Sequence, residues 1–285
     1  MNALEKYDAR ADAADSLLCV GLDPELDKLP ARFLGARYPQ FEFTKHIVEA
    51  THASVAAYKL NIAFWEAQGI RGYEDLALTT EYLRTQHPDI LLLCDAKRGD
   101  ILNTNIQHAM VPFDRFGFDG VTVHIYMGGD ALAPLLERTD KAIIVVCRTI
   151  NPGSDDIQML MTADGTPLWQ TVAHKVCTKW NKHGNCMLVM GAMNEQEMAK
   201  ARAIAGDMTF LVPGVGAQGG DLEAAVSGGL NSYGKGLIIV AARSVIFAAD
   251  PAREASELRD RINRARDQNT GKPKAAKSTE ARMLQ

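Results

Sequence analysis

The sequence predicts a single-domain α/β protein of the (β/α)8, or TIM-barrel, class, because short apolar runs alternate with longer amphipathic stretches along most of the chain. The apolar runs are nearly continuous, which is typical of parallel strands covered on their outer face. Eight such units in about 250 residues is the number that closes a barrel. A doubly wound open sheet is the alternative, but no G-x-G-x-x-G follows the first run.

Composition narrows the class of protein further. The 285 residues are 47% hydrophobic and carry a formal net charge of -4, so no basic excess indicates nucleic acid as a partner. The sequence contains no run of 18 apolar residues, so no membrane span is predicted. The N-terminus is charged and does not resemble a signal peptide. Five cysteines without a C-x-x-C indicate buried free thiols, and hence a cytoplasmic protein.

The predicted elements follow one another regularly along the chain. The strands are Leu17–Asp23, Val55–Asn61, Ile90–Lys97, Asp119–His124, Ala142–Arg148, Cys186–Gly191, Thr209–Gly214 and Leu237–Arg243. Helical spacing predicts helices over Gly72–Thr85, Asn103–Phe116, Leu168–Lys182, Asn194–Ala205 and Pro251–Arg266. We therefore expect a barrel domain over residues 1–266 and a disordered tail, or a linker to a fusion partner, over residues 267–285.

Charged and polar residues gather where these strands end. Asp23 ends the first strand, Lys59 and Asn61 the second, and Asp95 and Lys97 the third. Within each strand the alternation of side chains puts these residues on one face. Because barrel active sites lie at the carboxyl ends of the strands, we interpret this edge as a site.

The third strand carries the strongest signal, L-L-L-C-D-A-K-R-G-D-I from Leu91 to Ile101. Burying Asp95, Lys97 and Asp100 together is costly unless each charge supports the others. A lone D-x-K is more often a strand-end salt bridge. Asp100 follows three residues after Lys97, and other predicted strands also end in charged residues. We therefore predict that this segment is catalytic.

A phosphate site is predicted after the seventh and eighth strands. Gly214 and Gly216 allow close backbone approach, Gln218 can donate a hydrogen bond, and Arg243 supplies a planar cation. Barrels often hold phosphate in these two loops. No G-x-x-x-x-G-K-[ST] is present, so a nucleoside triphosphate is not expected.

Charges of alternating sign at the mouth suggest decarboxylation. Between carboxylates, Lys97 is expected to remain an ammonium, suited to giving a proton. Asp95 or Asp100 would repel a substrate carboxylate and favour its loss as carbon dioxide. Stabilisation of the developing carbanion by Lys97 is the larger expected contribution.

Several motifs together resemble the orotidine 5′-phosphate decarboxylase family, in its bacterial-type branch with long loops. They are D-A-K-R-G-D-I with Thr104, G-L-D-P at Gly21, Y-K-L-N at Tyr58, N-P-G-S at Asn151, P-G-V-G-A-Q-G-G-D at Pro213 and the terminal Arg243. The resemblance spans Leu17 to Ala248. It implies a homodimeric barrel, without metal or cofactor, that converts orotidine monophosphate to uridine monophosphate, and it leaves open a fusion to orotate phosphoribosyltransferase.

The resemblance also implies individual roles. Lys97 would protonate C6 of the pyrimidine, and Lys59 and Asp95 would complete the charged array. A second group would reach into the neighbouring subunit's site: Asp100, Ile101 and Thr104. The remaining substrate contacts would come from Asp23 at a ribose hydroxyl, Gln218 and Arg243 at the phosphate, Pro213 at the base, and Asn61, Ile150 and Asn151.

The chain departs from the family pattern at two places. Relatives carry a serine before Asn151 that hydrogen-bonds the pyrimidine, whereas this chain has Ile150 preceded by Thr149. Strand four ends at His124, where asparagine and proline are expected before the tyrosine. Two rival functions remain: a metal-dependent sugar-phosphate decarboxylase or hexulose-phosphate aldolase, which shares D-x-K-x-x-D, and, because of Ile150, a nucleotide-binding barrel without activity.

Overall fold

The computed structural model describes residues 1–215 and 221–270, and it contains one closed barrel of eight parallel strands. The strands are β1 (Leu18–Gly21), β2 (Ala57–Asn61), β3 (Leu91–Arg98), β4 (Gly120–Val123), β5 (Ala142–Arg148), β6 (Cys186–Met190), β7 (Phe210–Val212) and β8 (Leu237–Ala241). Each strand pairs with its sequence neighbours, and β8 pairs with β1. The predicted (β/α)8 fold is confirmed.

Helices connect the strands and cover the outside of the barrel. In chain order they are α1 (Ala3–Ala13), α2 (Ala31–Leu34), α3 (Pro39–Thr51), α4 (Ala63–Glu66), α5 (Gly69–Gln86), α6 (Leu102–Met110), α7 (Gly129–Leu136), α8 (Asp155–Gln158), α9 (Leu168–Lys175), α10 (Glu195–Ala205), α11 (Leu222–Gly229), α12 (Arg243–Ile246) and α13 (Pro251–Thr270). Two of them, α6 and α9, continue as π-helical turns, Val111–Arg115 and Val176–Trp180. All four predicted connecting helices are therefore present.

The last helix is longer than predicted. It runs to Thr270 rather than ending at Arg266, so residues 267–270 belong to a helix and not to a tail. The extra turn is held by Asn269, whose side chain donates to the Ala265 carbonyl at 2.7 Å and accepts from the Ser227 hydroxyl at 2.9 Å. The rest of the predicted tail, residues 271–285, lies outside the described residues.

The register of the barrel decides which side chains point inward. Gly21 aligns with Lys59, Lys59 with Leu93, and Asn61 with Asp95. Aligned residues of parallel strands share a face, so the side chains of Lys59, Leu93, Asn61 and Asp95 all point to the interior. Tyr58, one residue away, points outward, and its hydroxyl bonds that of Thr51 on α3 at 2.8 Å.

The cysteines are unpaired, as predicted. Four are buried in the core, and Cys177 is partly exposed. Burial raises the pKa of the buried thiols, to about 12 for Cys19 and Cys186. Within residues 1–215 and 221–270, no helix has the length and apolar character needed to cross a membrane.

Candidate active site

A cavity of about 400 Å³ opens at the carboxyl ends of the strands. Strands β1 to β3 and the loops after them supply its carboxylates and lysines, β5 to β8 supply apolar side chains, and Arg243 after β8 adds one further cation. It brings together ten of the residues predicted from sequence: Asp23, Lys59, Asn61, Asp95, Lys97, Ile150, Asn151, Pro213, Gly214 and Arg243. Its volume suits a small ligand, because binding cavities commonly measure about 300–1,000 Å³.

Four side chains in this cavity form a continuous array of alternating charge. The Lys59 ammonium lies 3.8 Å from Asp23 Oδ1 and 3.2 Å from Asp95 Oδ2. The other oxygen of Asp95 accepts from Lys97 Nζ at 2.7 Å. Asp95 therefore lies between two ammonium groups, and each of its oxygens faces one of them.

The members of the array differ in exposure. The side chain of Lys59 is 6% exposed and that of Asp95 12%, whereas Lys97 is 45% exposed and reaches the open part of the cavity. Lys97 is thus the ammonium that a bound ligand can approach. Lys59 lies behind it and is enclosed.

Each buried charge in the array is stabilised by its neighbours. Burial by itself lowers the pKa of Lys59, but the Asp23 and Asp95 carboxylates outweigh burial and hold that pKa above its ordinary value. Burial likewise raises the pKa of Asp95, but Lys59 and Lys97 hold it well below its ordinary range. The lysine and the aspartate are both ionised at neutral pH.

The backbone at Lys97 departs from a regular strand. Its φ angle is +46°, and the pairing of β3 with β4 shifts register between Cys94 and Arg98. A left-handed conformation costs a residue with a Cβ atom about 1–2 kcal/mol. The Lys97 N–H donates instead to the side chain of Thr122 on β4, at 2.9 Å.

The predicted anion end of the cavity is formed by Gly214 and Arg243. Gly214 has a φ angle of +98°, a conformation that favours glycine. Arg243 begins α12 rather than ending β8 as predicted, because the strand stops at Ala241. Within the described part of the chain, its guanidinium forms no ion pair. The other two predicted phosphate ligands, Gly216 and Gln218, lie outside the described residues.

The loop after β5 lines the cavity, and hydrogen bonds among its own side chains hold it in place. Arg148 donates to the Asp155 carboxylate at 2.7 Å and to the Ser154 hydroxyl at 3.0 Å. The Thr149 hydroxyl donates to Asn151 Oδ1 at 2.6 Å and accepts from Gln158 Nε2 at 2.9 Å. The Thr149 hydroxyl and the Asn151 side-chain oxygen on either side of Ile150 are therefore already hydrogen-bonded to each other.

Three predicted site residues do not line the cavity of their own chain. Asp100 caps its own segment, accepting from the Ile101 N–H at 2.6 Å, and Ile101 is exposed. Thr104 lies on the first turns of α6, on the same side of the barrel. His124 also stays outside the cavity, although burial and then the Lys97 charge lower its pKa.

Other cavity residues were not predicted from sequence. No sequence feature marks Thr122 as a site residue, because a single threonine in G-V-T-V is typical of an ordinary strand. The apolar wall, with Val146, Val189, Leu211 and Val240 from β5 to β8, was equally hidden among buried strand positions. Inward parity could have found this wall, since each of these residues lies near the carboxyl end of its strand.

A second cavity, of about 520 Å³, lies outside the barrel mouth against α3 and α12. It shares Arg243 with the first cavity, and Phe43, Ile47 and Phe247 line it. None of its lining residues is a carboxylate, so it lacks the paired acids and bases of the first. We therefore assign the active site to the smaller cavity.

The described part of the chain holds no group of three or more His, Cys, Asp or Glu side chains arranged as metal ligands. Both carboxylates of the array already face lysines. A closed parallel barrel with paired acids and bases at the carboxyl ends of its strands is typical of a (β/α)8-barrel enzyme.

Comparison with known proteins identifies the family. Residues 16–258 match the model of the orotidine 5′-phosphate decarboxylase / HUMPS family, and the chain belongs to that family. The orotidine 5′-phosphate decarboxylase of Janthinobacterium sp. (strain Marseille) is 44% identical over 271 residues, which cover 93% of this chain and 99% of that one.

Solved structures agree with this assignment. The Leishmania donovani OMP decarboxylase matches with a TM-score of 0.83 and 37% identity, covering 94% of this chain and 99% of that one. The Leishmania donovani UMP synthase matches with a TM-score of 0.85 and 39% identity. That match covers 93% of this chain but 57% of the synthase.

Proposed function

We propose that the array of Asp23, Lys59, Asp95 and Lys97 carries out the decarboxylation, with Lys97 as the acid that protonates C6. The reaction is the conversion of orotidine 5′-phosphate to uridine 5′-phosphate, because curated decarboxylases of that name are 42–44% identical to 93% of the chain. The observation that carries the mechanism is the position of Asp95 between the two ammonium groups, 3.2 Å from Lys59 and 2.7 Å from Lys97.

The chemistry balances without any other group. The bond between C6 and the carboxyl carbon breaks, carbon dioxide leaves, and the electron pair remains on C6. Lys97 gives its proton to C6 and regains one from solvent. The fixed ammonium groups stabilise the negative charge as it develops, which is the largest contribution expected from such a site. Asp95, held ionised beside the substrate carboxylate, disfavours the bound carboxylate.

The cavity supports one orientation of the substrate. Arg243 and Gly214 at one end suit the 5′-phosphate, since a guanidinium fork matches phosphate oxygens. Asp23 and Asn61, which line the same cavity, would then hydrogen-bond the ribose hydroxyls. The apolar wall from β5 to β8 then packs against the pyrimidine, with Ile150 at its edge. Gln218 and Gly216 complete the phosphate site in this proposal.

We also propose a homodimer in which Asp100, Ile101 and Thr104 serve the partner's site. Support comes from α6 and the segment before α7, which expose large apolar side chains away from their own cavity: Ile101, Leu102, Ile106, Val111, Tyr126 and Met127. Contiguous exposed apolar side chains are typical of protein interfaces. Fusion of the chain's end to orotate phosphoribosyltransferase remains a prediction, as does a cytoplasmic location.

A direct assay tests the proposal. The purified chain is incubated with orotidine 5′-phosphate, with and without excess chelator, and both carbon dioxide and uridine 5′-phosphate are measured. We expect equal turnover in the two conditions. Loss of activity with chelator, restored by a divalent cation, would favour the metal-dependent rival. Binding of uridine 5′-phosphate without any release of carbon dioxide would favour the inactive nucleotide-binding barrel.

A further inference from the structure

Thr122 joins the two reactive members of the array through one hydroxyl group. This residue of β4 is 1% exposed. Its Oγ1 accepts from the Lys97 N–H at 2.9 Å and donates to Asp95 Oδ1 at 2.8 Å. The oxygen of Asp95 that receives this bond is the one that also accepts from the Lys97 ammonium.

The direction of these two bonds is fixed by the atoms involved. A backbone N–H can only donate, so the hydroxyl accepts from Lys97 and has its single proton left for Asp95. Asp95 Oδ1 must then act as an acceptor, and an ionised carboxylate is a stronger acceptor than a neutral carboxyl group. The hydroxyl therefore favours the charged form of Asp95 in a fixed orientation.

The same hydroxyl supports the unusual backbone of Lys97. The ladder between β3 and β4 is interrupted between Cys94 and Arg98, so the Lys97 N–H is not paired within a regular sheet. Thr122 supplies the acceptor that this left-handed residue needs. A lysine side chain has four rotatable carbon–carbon bonds, and that of Lys97 is 45% exposed, so its direction depends on where its Cα atom is held.

We propose that Thr122 is a positioning residue for the decarboxylation: its hydroxyl holds the Lys97 backbone and the Asp95 carboxylate in the one arrangement that points the ammonium at C6. This inference rests on the proposed role of Lys97. It concerns the placement of groups that act only in the chemical step, so it predicts an effect on kcat rather than on KM.

The test is a graded series at this position. Thr122→Val keeps the shape and removes the hydroxyl, Thr122→Ser keeps the hydroxyl, and Thr122→Cys keeps only a weak donor. We expect Val to lower kcat about 100-fold, the loss typical of a misplaced catalytic group, with KM little changed. Thr122→Ser should keep most of the original kcat, and the kcat of Thr122→Cys should lie between those of the Ser and Val variants.

Thr51→Val is the matched control. Thr51 is also 1% exposed and its hydroxyl also makes two hydrogen bonds, to the Ile47 carbonyl and the Tyr58 hydroxyl, but it lies on α3, outside the barrel. It should lower stability as Thr122→Val does and leave kcat unchanged. The acid limb of the kcat–pH profile should move to higher pH for Thr122→Val alone, because Asp95 loses a donor that stabilises its charge.

The outcomes separate this inference from the function it rests on. If Lys97→Ala keeps full activity, the proposed mechanism fails whatever Thr122 does. If Lys97→Ala is inactive but Thr122→Val has the kcat of the unaltered chain, only the positioning role is overturned. Equal losses in Val and Ser, or a rise confined to KM, would likewise overturn it, because the hydroxyl would then not act through Lys97.

Discussion

Lys59 and Lys97 carry the same charge in the same cavity, yet their different surroundings suit them to different roles in the proposed reaction. Lys59 is enclosed between two carboxylates, so its charge fixes the electrostatic potential of the site. Lys97 has one carboxylate contact and an open side, which leaves its proton accessible to a ligand. The division of labour in the array therefore follows from exposure as much as from residue type.

Lys97→Ala should remove the chemical step and leave the fold intact. Loss of a general acid typically costs about 10²–10⁴-fold in rate, and the loss of its electrostatic stabilisation adds to that. The measurement is kcat with orotidine 5′-phosphate, beside circular dichroism of the variant. Lys45→Ala is the control and should be fully active, because Lys45 lies on the outer face of α3 and its ion pair with Glu49, at 3.9 Å, is exposed.

Lys59→Met should destabilise the protein as well as inactivate it. Removing one partner of a buried ion pair leaves unopposed charge, a change that typically costs about 3–5 kcal/mol of unfolding free energy. Urea unfolding at neutral pH measures this loss. Lys45→Met, at an exposed pair, should cost no more than about 1 kcal/mol. An unchanged unfolding midpoint for Lys59→Met would contradict the structural role given to that lysine.

The pH dependence of stability provides a second test of Lys59→Met. A carboxylate whose folded-state pKa is depressed stabilises the protein above its unfolded-state value of about 3.9, and loses that effect as the pH falls further. Asp95 is such a group. Without Lys59 the depression is smaller. Lys59→Met should therefore have less of this stabilisation and lose it at a higher pH during acid unfolding.

Single residues were predictable from sequence where their charge was unusual for their position. Asp95 and Lys59 stand out because strand interiors rarely carry ions, and the structure brings them together. Thr122 did not stand out, since threonine is common in strands. What identifies it is a hydroxyl bonded to a residue 25 positions away in the chain, and no spacing rule shows that contact.

Among the elements, the turn after β7 contains Gly214, whose left-handed backbone would be strained by a larger residue. Gly214→Ala places a Cβ atom at a φ of +98°, a strain of about 1–3 kcal/mol. We expect a lower unfolding midpoint and a higher KM for orotidine 5′-phosphate, because Gly214 lines the cavity beside Arg243. Gly35→Ala is the control, since a Cβ atom there meets nothing within 4 Å. Equal KM values for the two variants would argue against a phosphate site at this turn.

Most elements were predictable, and the exceptions have local causes. Continuous apolar runs identify all eight strands, but they do not show where a strand ends in a short helix, as at Arg243. Parity correctly put Lys97 beside Asp95. It did so although β3 is irregular there, because the lysine reaches Asp95 from a left-handed backbone. The last turn of α13 was missed since its contacts, through Asn269, come from a distant helix.

At the scale of the whole molecule, the shared-site proposal predicts complementation between two inactive proteins. In a mixed dimer of Lys97→Ala and Asp100→Ala, one site carries both defects and the other carries neither. Random exchange puts about half of the subunits in mixed dimers, so about a quarter of the original activity should return. The assay follows turnover as the two proteins exchange subunits.

The control for this experiment mixes Lys97→Ala with Lys59→Met. Both residues belong to the cavity of one chain, so every site in such a dimer keeps one defect and no activity should return. Recovery in the control would mean that the array is not contained within one chain. Absence of recovery in the first mixture, despite demonstrated exchange, would remove Asp100 from the partner's site.

Closure of the barrel has a consequence for how the protein is made. Strand β1 ends at Gly21, and the strand that completes its pairing, β8, begins at Leu237, 216 residues later. During synthesis on the ribosome, one edge of β1 therefore stays unpaired until nearly the entire barrel has emerged. Unpaired strand edges promote aggregation. Arg243 follows β8 by two residues, so the cation proposed to bind the phosphate also emerges only with this last strand.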